Sequence, residues 1–350
     1  MSEVKVNKIS PRSGTDVTLG DSGDTFTIPS GATITNSGTA TGFAAGSRNM
    51  VINGQFDVWQ RGTTITSTAS ANMYYADRWR HQGWPWSGSV TQQTFANGQT
   101  DVPGNPTYFA RLIIDTNATG YQAFVQRIEN NPVNRFSGKT ITVSFWIKSA
   151  SGTLADGTVR AYGKSTLVGS GTDNIGAITT SWQKIEYTGT LGILTGTYFT
   201  VGLKIDQGTL LTSGVDIANF QVEVGDTATP FEYRSYGEEL ALCQRYAWVI
   251  SNANGKFIGT GHCRSTTVAE ISISPKVSFR TTPTLVVSDA TKLNVRHQAT
   301  DSASSAVTIA GSNEDIITLQ ITTGAVLTAG EGCSAWVNGG SVTIEYNAEL

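Results

Sequence analysis

The sequence predicts an all-β protein with one short helix. Its 350 residues include 38 glycines and only 15% charged residues, a composition that favours short strands and tight turns. Short segments in which apolar and polar residues alternate recur along most of the chain. We therefore predict an N-terminal β shaft of intertwined chains (residues 1–48), a β-sandwich (49–234), a connecting helix (235–250) and a second β-sandwich (251–350).

The N-terminal segment contains a small repeat. Ser-Gly pairs begin at positions 13, 22, 30 and 37, and each intervening segment carries only one or two large apolar side chains. So few apolar groups cannot offset an ordering entropy of roughly 1–2 kcal/mol per residue of backbone. We therefore expect several copies to wrap around one another as a shaft. The alternative is a flexible leader rich in Gly and Ser.

The first large region contains eight predicted strands separated by polar turns. They cover residues 50–59, 108–114, 122–128, 140–148, 158–162, 183–190, 198–205 and 215–224. Two of them alternate cleanly, since Ile141, Val143, Phe145 and Ile147 share one face, as do the odd-numbered residues of 199–205. This number of strands predicts two packed antiparallel sheets.

One segment has the features of a helix. Ser235 and Glu238 have the spacing of a capping box, and Glu238 and Glu239 would lie in the positive first turn. An apolar stripe at three- or four-residue spacing consists of Tyr236, Leu240, Cys243, Ala247 and Ile250. We expect this helix to connect two β regions.

After the helix, residues 251–350 form the second predicted β region. Ile271 and Ile273 alternate with serines, and further strands are predicted at residues 285–287, 316–321, 335–337 and 342–346. A hundred residues suffice for a small sandwich.

Three parts of the chain resemble a known family. Residues 220–225 (FQVEVG), 228–235 (ATPFEYRS) and 238–246 (EELALCQRY) resemble the end of the β-sandwich module in tail-fibre proteins of tailed bacteriophages. Residues 49–62 (NMVINGQFDVWQRG) and 76–79 (ADRW) resemble the opening of that module, and 279–285 (FRTTPTL) resembles a segment of fibre tip domains. The resemblance implies a jelly roll similar to carbohydrate-binding modules, a homotrimer, and attachment of the N-terminus to the tail, baseplate or an adaptor protein.

Charge and cysteine content restrict the function classes. The net charge of −3 gives no basic patch for nucleic-acid binding, and no apolar run is long enough to cross a membrane. The N-terminus lacks an apolar signal region, and the three cysteines have no metal-ligand spacing. We expect buried thiols, with a Cys263–Cys333 disulfide as the alternative. A virion protein assembled in the host cytoplasm and acting extracellularly fits these features.

The sequence contains no recognisable catalytic motif. His81, His262 and His297 lie far apart, and the chain has no Gly-x-Ser-x-Gly turn, P-loop or His-x-x-x-His. Acidic residues are numerous enough for a glycosidase pair, but no particular pair is indicated. We expect a protein that is not an enzyme and uses no cofactor or metal.

Aromatic residues indicate a binding site. Trp84 and Trp86 flank Pro85 between glycines and serines, so we expect both rings to be hard to bury. We predict that they contact a ligand, with Tyr74 and Tyr75 as companions; the alternatives are packing onto a sheet and contact between chains. Trp59 and Trp79 lie in the motif segments and are expected in the core.

Together these features predict a phage tail-fibre or receptor-binding protein that adsorbs to a bacterial surface glycan without catalysis. Two alternatives stay open. One is a tailspike that degrades polysaccharide, and the other is a purely structural virion connector or capsid fibre.

Overall fold

The computed structural model describes residues 48–67, 73–116, 120–129, 136–156, 158–164, 172–192, 196–205, 209–324 and 327–350. All of them belong to one compact unit, residues 46–350. The predicted shaft, residues 1–48, lies outside the described residues apart from its last position. Within the described part of the chain, no helix is long and apolar enough to span a membrane.

The region from 49 to 234 is a jelly-roll sandwich of two antiparallel sheets. The six-stranded sheet contains, in spatial order, β1 (Thr64–Ser67), β3 (Ser87–Thr94), β4 (Tyr108–Thr116), β11 (Leu211–Val224), β6 (Thr140–Ser149) and β9 (Gln183–Thr190). The five-stranded sheet contains β2 (Trp79–Gly83), β5 (Gln122–Glu129), β10 (Tyr198–Ile205), β7 (Val159–Lys164) and β8 (Thr172–Asn174). Both the all-β class and the sandwich are therefore confirmed.

Aromatic rings from both sheets fill the space between them. Trp79 of β2 stacks on Phe124 of β5 with ring centroids 4.9 Å apart. Phe220 of β11 stacks on Phe145 of β6 at 4.9 Å and meets Trp79 edge-on at 5.1 Å. Because Trp79 and Phe220 come from opposite sheets, their contact joins the two layers. The core position expected for Trp79 is thus confirmed, and Trp59 is also buried.

The strand predicted at residues 50–59 is wrong. This segment is a loop, since Asn53 and Phe56 have φ angles of +58° and +60°, which no strand permits. The Asn53 side chain holds the loop in shape, because its amide donates to the carbonyls of Val58 and Asp77 at 2.8 and 3.0 Å. Its oxygen accepts from the Val58 amide at 3.0 Å.

The helix α1 spans Tyr236–Gln244 and is shorter than predicted. Its N-cap is confirmed, because the Ser235 hydroxyl accepts from the Glu238 amide at 3.3 Å. It ends at Gln244 because Ala247–Asn252 forms strand β12, which pairs with β20 (Val342–Asn347) over its whole length. The predicted apolar stripe is therefore wrong: Tyr236 is exposed, and Ala247 and Ile250 lie in a strand.

The C-terminal region differs from the sandwich that the sequence predicts. Six strands close into a barrel in the order β13 (Phe257–Cys263), β14 (Val268–Ile273), β18 (Ile317–Thr323), β17 (Thr300–Ser312), β16 (Leu293–His297) and β19 (Gly332–Val337). A three-stranded sheet beside it contains β12, β20 and β15 (Thr284–Val287). Closure removes the exposed edges that a small open sandwich would present.

The sandwich and the C-terminal region meet through buried charges. Arg78, on the turn before β2, pairs with Glu349, and its guanidinium lies 3.5 Å from the centre of the Tyr246 ring. Arg61 contacts Glu345 at 2.9 Å and Glu349 at 3.6 Å. We call Arg61, Asp77, Arg78, Glu345 and Glu349 the joint cluster. It fixes the C-terminal strand β20 and the residues after it against the sandwich.

Candidate functional site

The connection between β2 and β3 carries both tryptophans of the predicted site. Gly83 and Gly88 flank it with φ angles of +134° and +152°. A Cβ on Gly83 would lie 2.3 Å from the Tyr121 carbonyl oxygen, and one on Gly88 would lie 2.1 Å from that of Ile113. Both positions therefore require glycine, because the backbone passes too close to its neighbours for any side chain.

Trp84 packs against the backbone of a neighbouring segment and is half exposed to solvent. Its backbone amide donates to the Tyr121 carbonyl at 3.2 Å, and its side chain is 53% exposed. A Cβ on Gly120 would lie 2.0 Å from Trp84 Cδ1 and 2.4 and 2.5 Å from Nε1 and Cγ. These three distances fit a point above the five-membered ring, not at its edge. Gly120 therefore supports one face of the indole, while about half of the residue's surface stays exposed to solvent.

Polar and aromatic groups lie on the sheet beside Trp84. Tyr121 packs on the buried side chains of Ala123 and Val125, on the outer face of the five-stranded sheet. The Lys204 ammonium lies 5.3 Å from the centre of the Tyr121 ring. Gln82 and Lys204 are the register partners of Ala123 on either side. We call Trp84, Tyr121, Gln82 and Lys204 the Trp84 platform.

Trp86, by contrast, lies in the core. It is 3% exposed, and its ring meets Tyr75 at 6.0 Å and His81 at 5.4 Å. The expectation that both rings would be exposed is right for Trp84 and wrong for Trp86. The physical reason is that β2 and β3 belong to different sheets, so their connection crosses the end of the sandwich and Trp86 fills the space between the layers.

The two tyrosines are not part of the exposed platform. Tyr75 is fully buried beside Trp86. Tyr74 is half-buried and donates its hydroxyl proton to the Leu350 carbonyl at 2.8 Å. The guanidinium groups of Arg61 and Arg80 lie 5.3 and 5.4 Å from the centre of its ring. It therefore belongs to the contact with the C-terminal region. Of the four predicted ligand-binding residues, the structure exposes Trp84 alone, and ligand contact stays a prediction.

Several side chains of the motif segments 49–62 and 76–79 bond to other parts of the structure. The Gln60 amide donates to Asp77 at 2.7 Å and to the Ala247 carbonyl at 2.8 Å, which connects the motif loop to strand β12. The Trp79 indole donates to the Asn53 carbonyl at 2.9 Å. Gln60 therefore joins the motif segment to the C-terminal region, and Trp79 fixes the same segment within the sandwich.

Two aspartates near this joint have raised pKa values. Burial raises the pKa of Asp77 to about 6, although the charge of Arg61 opposes the rise. Burial and the carboxylate of Glu239 raise the pKa of Asp57 to about 6. Among the described residues, no group of three or more His, Cys, Asp or Glu side chains could hold a metal ion. Asp77 lies in the joint cluster, and Asp57 lies beside Glu239 of α1.

Comparison with known proteins found structural likeness alone. No family model matches the chain, and no curated protein matches its sequence. A cyclase from Fischerella sp. TAU is 12% identical, with a TM-score of 0.35, over 52% of this chain and 100% of that one. The CBM22-1 xylan-binding domain from Paenibacillus barcinonensis is 11% identical, with a TM-score of 0.32, over 53% of this chain and 100% of that one. The enzymatically active domain of tailspike protein 4 from bacteriophage CBA120 is 15% identical, with a TM-score of 0.31, over 51% of this chain and 21% of that one.

Proposed function

We propose that this protein is a tail-fibre or receptor-binding protein of a tailed bacteriophage that adsorbs, without catalysis, to a glycan on the bacterial surface. The observation that carries glycan binding is the Trp84 ring, which is 53% exposed and supported from below by Gly120. A sugar ring has a flat face of C–H groups that packs on an aromatic face, and exposed aromatic groups commonly mark binding surfaces. Gln82, Lys204 and the Tyr121 hydroxyl would bond to the sugar hydroxyls.

The phage assignment has a different support, the resemblance of residues 49–62 and 220–246 to tail-fibre sequences. In this proposal residues 1–48 assemble three chains into a shaft and attach them to the tail, the baseplate or an adaptor protein of the virion. A homotrimer would present three identical platforms. Linked weak sites can gain about 10²–10⁴ in apparent affinity over a single site.

Adherence of the purified protein to candidate host cells tests the platform. We expect Trp84→Ala to abolish adherence, because it removes the stacking surface, and Trp84→Phe to retain part of it. Tyr236→Ala is the matched control, since Tyr236 is also exposed, at 59%, but lies on α1. Equal adherence of the wild type and Trp84→Ala would remove Trp84 from the site.

The same incubation separates the two rival functions. Release of reducing sugar from host polysaccharide would identify a tailspike that degrades its receptor. Absence of both adherence and sugar release across the candidate hosts would favour a structural virion component.

Light scattering on the full chain tests the assembly. We expect the mass of three chains of 37.2 kDa each. A monomer mass would contradict the homotrimer and leave single-site glycan binding to be tested separately.

A further inference from the structure

The outer face of the six-stranded sheet carries two cations around one buried carboxylate. Arg111 of β4, Asp216 of β11 and Lys148 of β6 are register partners across three neighbouring strands. The residue that precedes each of them packs into the core between the two sheets, so all three lie on the outward face. The Asp216 side chain is fully buried, whereas those of Arg111 and Lys148 are 29% and 26% exposed. The two cations therefore cover the carboxylate and stay accessible to solvent.

This group of three side chains has one excess positive charge and hydrogen-bond donors that Asp216 does not use. Arg111 bonds to Asp216 through Nε at 2.6 Å and Nη2 at 2.8 Å, which leaves Nη1 outside the pair. The Lys148 ammonium lies 3.7 Å from Asp216, farther than a normal hydrogen bond, so the carboxylate does not take up its donors. Among the described residues, Asp216 is the only acidic side chain that either cation contacts. The two cations can therefore compensate one further anionic group.

Aromatic rings lie beside these cations on the same face. Phe95, Phe109 and Trp182 form one cluster, with ring centroids 4.8, 5.2 and 5.4 Å apart. The Lys148 ammonium lies 5.2 Å from the centre of the Trp182 ring and 6.0 Å from that of Phe109. Phe95 and Trp182 are partly exposed. An accessible aromatic surface therefore adjoins the excess positive charge.

We propose that Arg111, Lys148 and Trp182 form a second binding site, for a sugar that carries a carboxylate, such as a hexuronic acid. The carboxylate accepts from Lys148 and from Arg111 Nη1, and a C–H face of the sugar ring packs on Trp182. A neutral sugar leaves the positive charge without compensation, and a simple carboxylate leaves the aromatic surface uncovered. The Trp84 platform lies on the other sheet, so the two sites are separate. The inference rests on the proposed function in that the ligand is a glycan.

Titration of the full chain with sodium glucuronate tests the site. We expect the indole N–H signal of Trp182, identified by its loss in Trp182→Phe, to shift as glucuronate is added. Glucose and sodium acetate, at the same concentration and ionic strength, should each cause a much smaller shift, because each lacks one half of the ligand. An equal shift with acetate would indicate a site for any carboxylate, including that of an acidic peptide. That result, or the absence of a shift with glucuronate, would overturn the proposal.

A matched pair of variants tests the charge. Lys148→Met removes the ammonium, keeps an apolar side chain beside Trp182 and leaves the Arg111–Asp216 pair intact, so we expect the variant to fold. Its affinity for glucuronate should fall about tenfold, as expected for the loss of a charge-assisted hydrogen bond. Lys256→Met is the control, because Lys256 is exposed just before β13 in the C-terminal region. Equal affinities of the two variants would contradict the assigned site.

The two functional proposals fail separately. If Trp84→Ala abolishes adherence to host cells and Lys148→Met binds glucuronate as well as the wild type does, the second site is wrong and the proposed function stands. If glucuronate binding depends on Lys148 but the protein adheres to no candidate host, the second site stands and the receptor-binding function is contradicted.

Discussion

At the scale of single residues, glycines decide where the aromatic rings of the β2–β3 connection lie. Gly88 admits Trp86 to the core, since a Cβ there would lie 2.5 Å from the Trp86 ring. Gly120 supports Trp84 at the surface, since a Cβ there would lie 2.0 Å from Cδ1. The same ring type therefore has two different environments within three residues, and the cause is the space that these glycines leave.

The support of Trp84 by Gly120 predicts that Gly120→Ala displaces the ring. We expect the Trp84 side chain to become mobile and adherence to fall nearly as far as in Trp84→Ala. Tryptophan fluorescence anisotropy and the adherence assay measure the two effects. Gly311→Ala is the control, because a Cβ on Gly311 would meet nothing within 4 Å. An unchanged fluorescence signal and adherence in Gly120→Ala would show that the ring does not depend on this glycine.

The buried His81 ring predicts a pH dependence of stability. Its pKa is lowered to about 4 in the folded protein, chiefly by burial, against an ordinary value of 6.5. Between these two values the unfolded chain binds the extra proton and the folded protein does not, so stability falls as the pH is lowered from about 6.5 to about 4. At roughly 1.4 kcal/mol per pKa unit, the loss is on the order of 3–4 kcal/mol.

Denaturant unfolding of the wild type and His81→Gln at several pH values measures this loss. The variant should lack the loss of stability at low pH that His81 causes. The raised pKa values of Asp57 and Asp77 instead increase stability as the pH falls, and they do so in both proteins. Parallel pH profiles for the two proteins would place the pKa of His81 near its ordinary value.

All three cysteines are free and buried, which predicts slow thiol chemistry. Burial raises the pKa of Cys243, and burial followed by the neighbouring Cys263 raises that of Cys333 to about 12. The reactive thiolate is therefore scarce at neutral pH. We expect no reaction with a thiol reagent at pH 8 in the native protein and three equivalents after denaturation. Native labelling would show that one of these regions opens readily.

At the scale of elements, the predicted start of α1 is correct and its predicted end is wrong. The Ser235 cap is a local feature, since it joins residues three apart. The end depends on strand β12, whose register partner β20 lies about a hundred residues further along the chain. Pairing with β20 provides hydrogen-bond partners for the backbone of residues 247–252. The helical spacing of Ala247 and Ile250 therefore does not make this segment a helix.

The cap predicts the effect of Ser235→Ala. Loss of the hydroxyl leaves the Glu238 amide without its acceptor, and we expect a cost of about 0.5–1 kcal/mol in the free energy of unfolding. Ser341→Ala, at an exposed position between β19 and β20, is the control and should change the value by less than about 0.5 kcal/mol. Equal stabilities of the two variants would mean that the cap contributes nothing.

At the scale of the whole described unit, the joint cluster connects the sandwich to the C-terminal region. Arg78 and Glu349 are 1% and 3% exposed, so each charge depends on the other for compensation. Glu349→Gln would leave Arg78 buried without a full countercharge, and breaking such a pair costs about 3–5 kcal/mol.

Denaturant unfolding measures this cost, with Glu186→Gln as the control. Glu186 pairs with Lys184 at the surface, where the two side chains are 46% and 38% exposed, and exposed pairs contribute about 0–1 kcal/mol. A similar small change in both variants would show that the joint does not depend on its charges. A separate early unfolding transition in Glu349→Gln would show that the C-terminal region detaches first.

Strand positions were predictable where alternation was clear. Strands β9 and β10 coincide with the predicted residues 183–190 and 198–205. Burial alternates along β9, and the large apolar side chains of β10 stand at every second position although both of its faces are buried. The missed strands are short or rich in Ser, Thr, Gln and Gly, so most of them give no clear apolar period: β1, β2, β3, β8, β13, β16 and β17. The sequence predicted that a tryptophan in the Gly-rich connection would be exposed. It did not predict which one, because no local pattern distinguished the exposed Trp84 from the buried Trp86.

The sequence by itself determined the all-β class, the main strands of the sandwich and the start of α1, because these depend on residues two to four positions apart. The tertiary structure alone decided which tryptophan is exposed, where the helix ends and what the segment at 49–62 does. Each of these depends on a partner far away in the chain, as Gln60 depends on Ala247 and Arg61 on Glu345. Such contacts have no period along the chain, so no local pattern contains them.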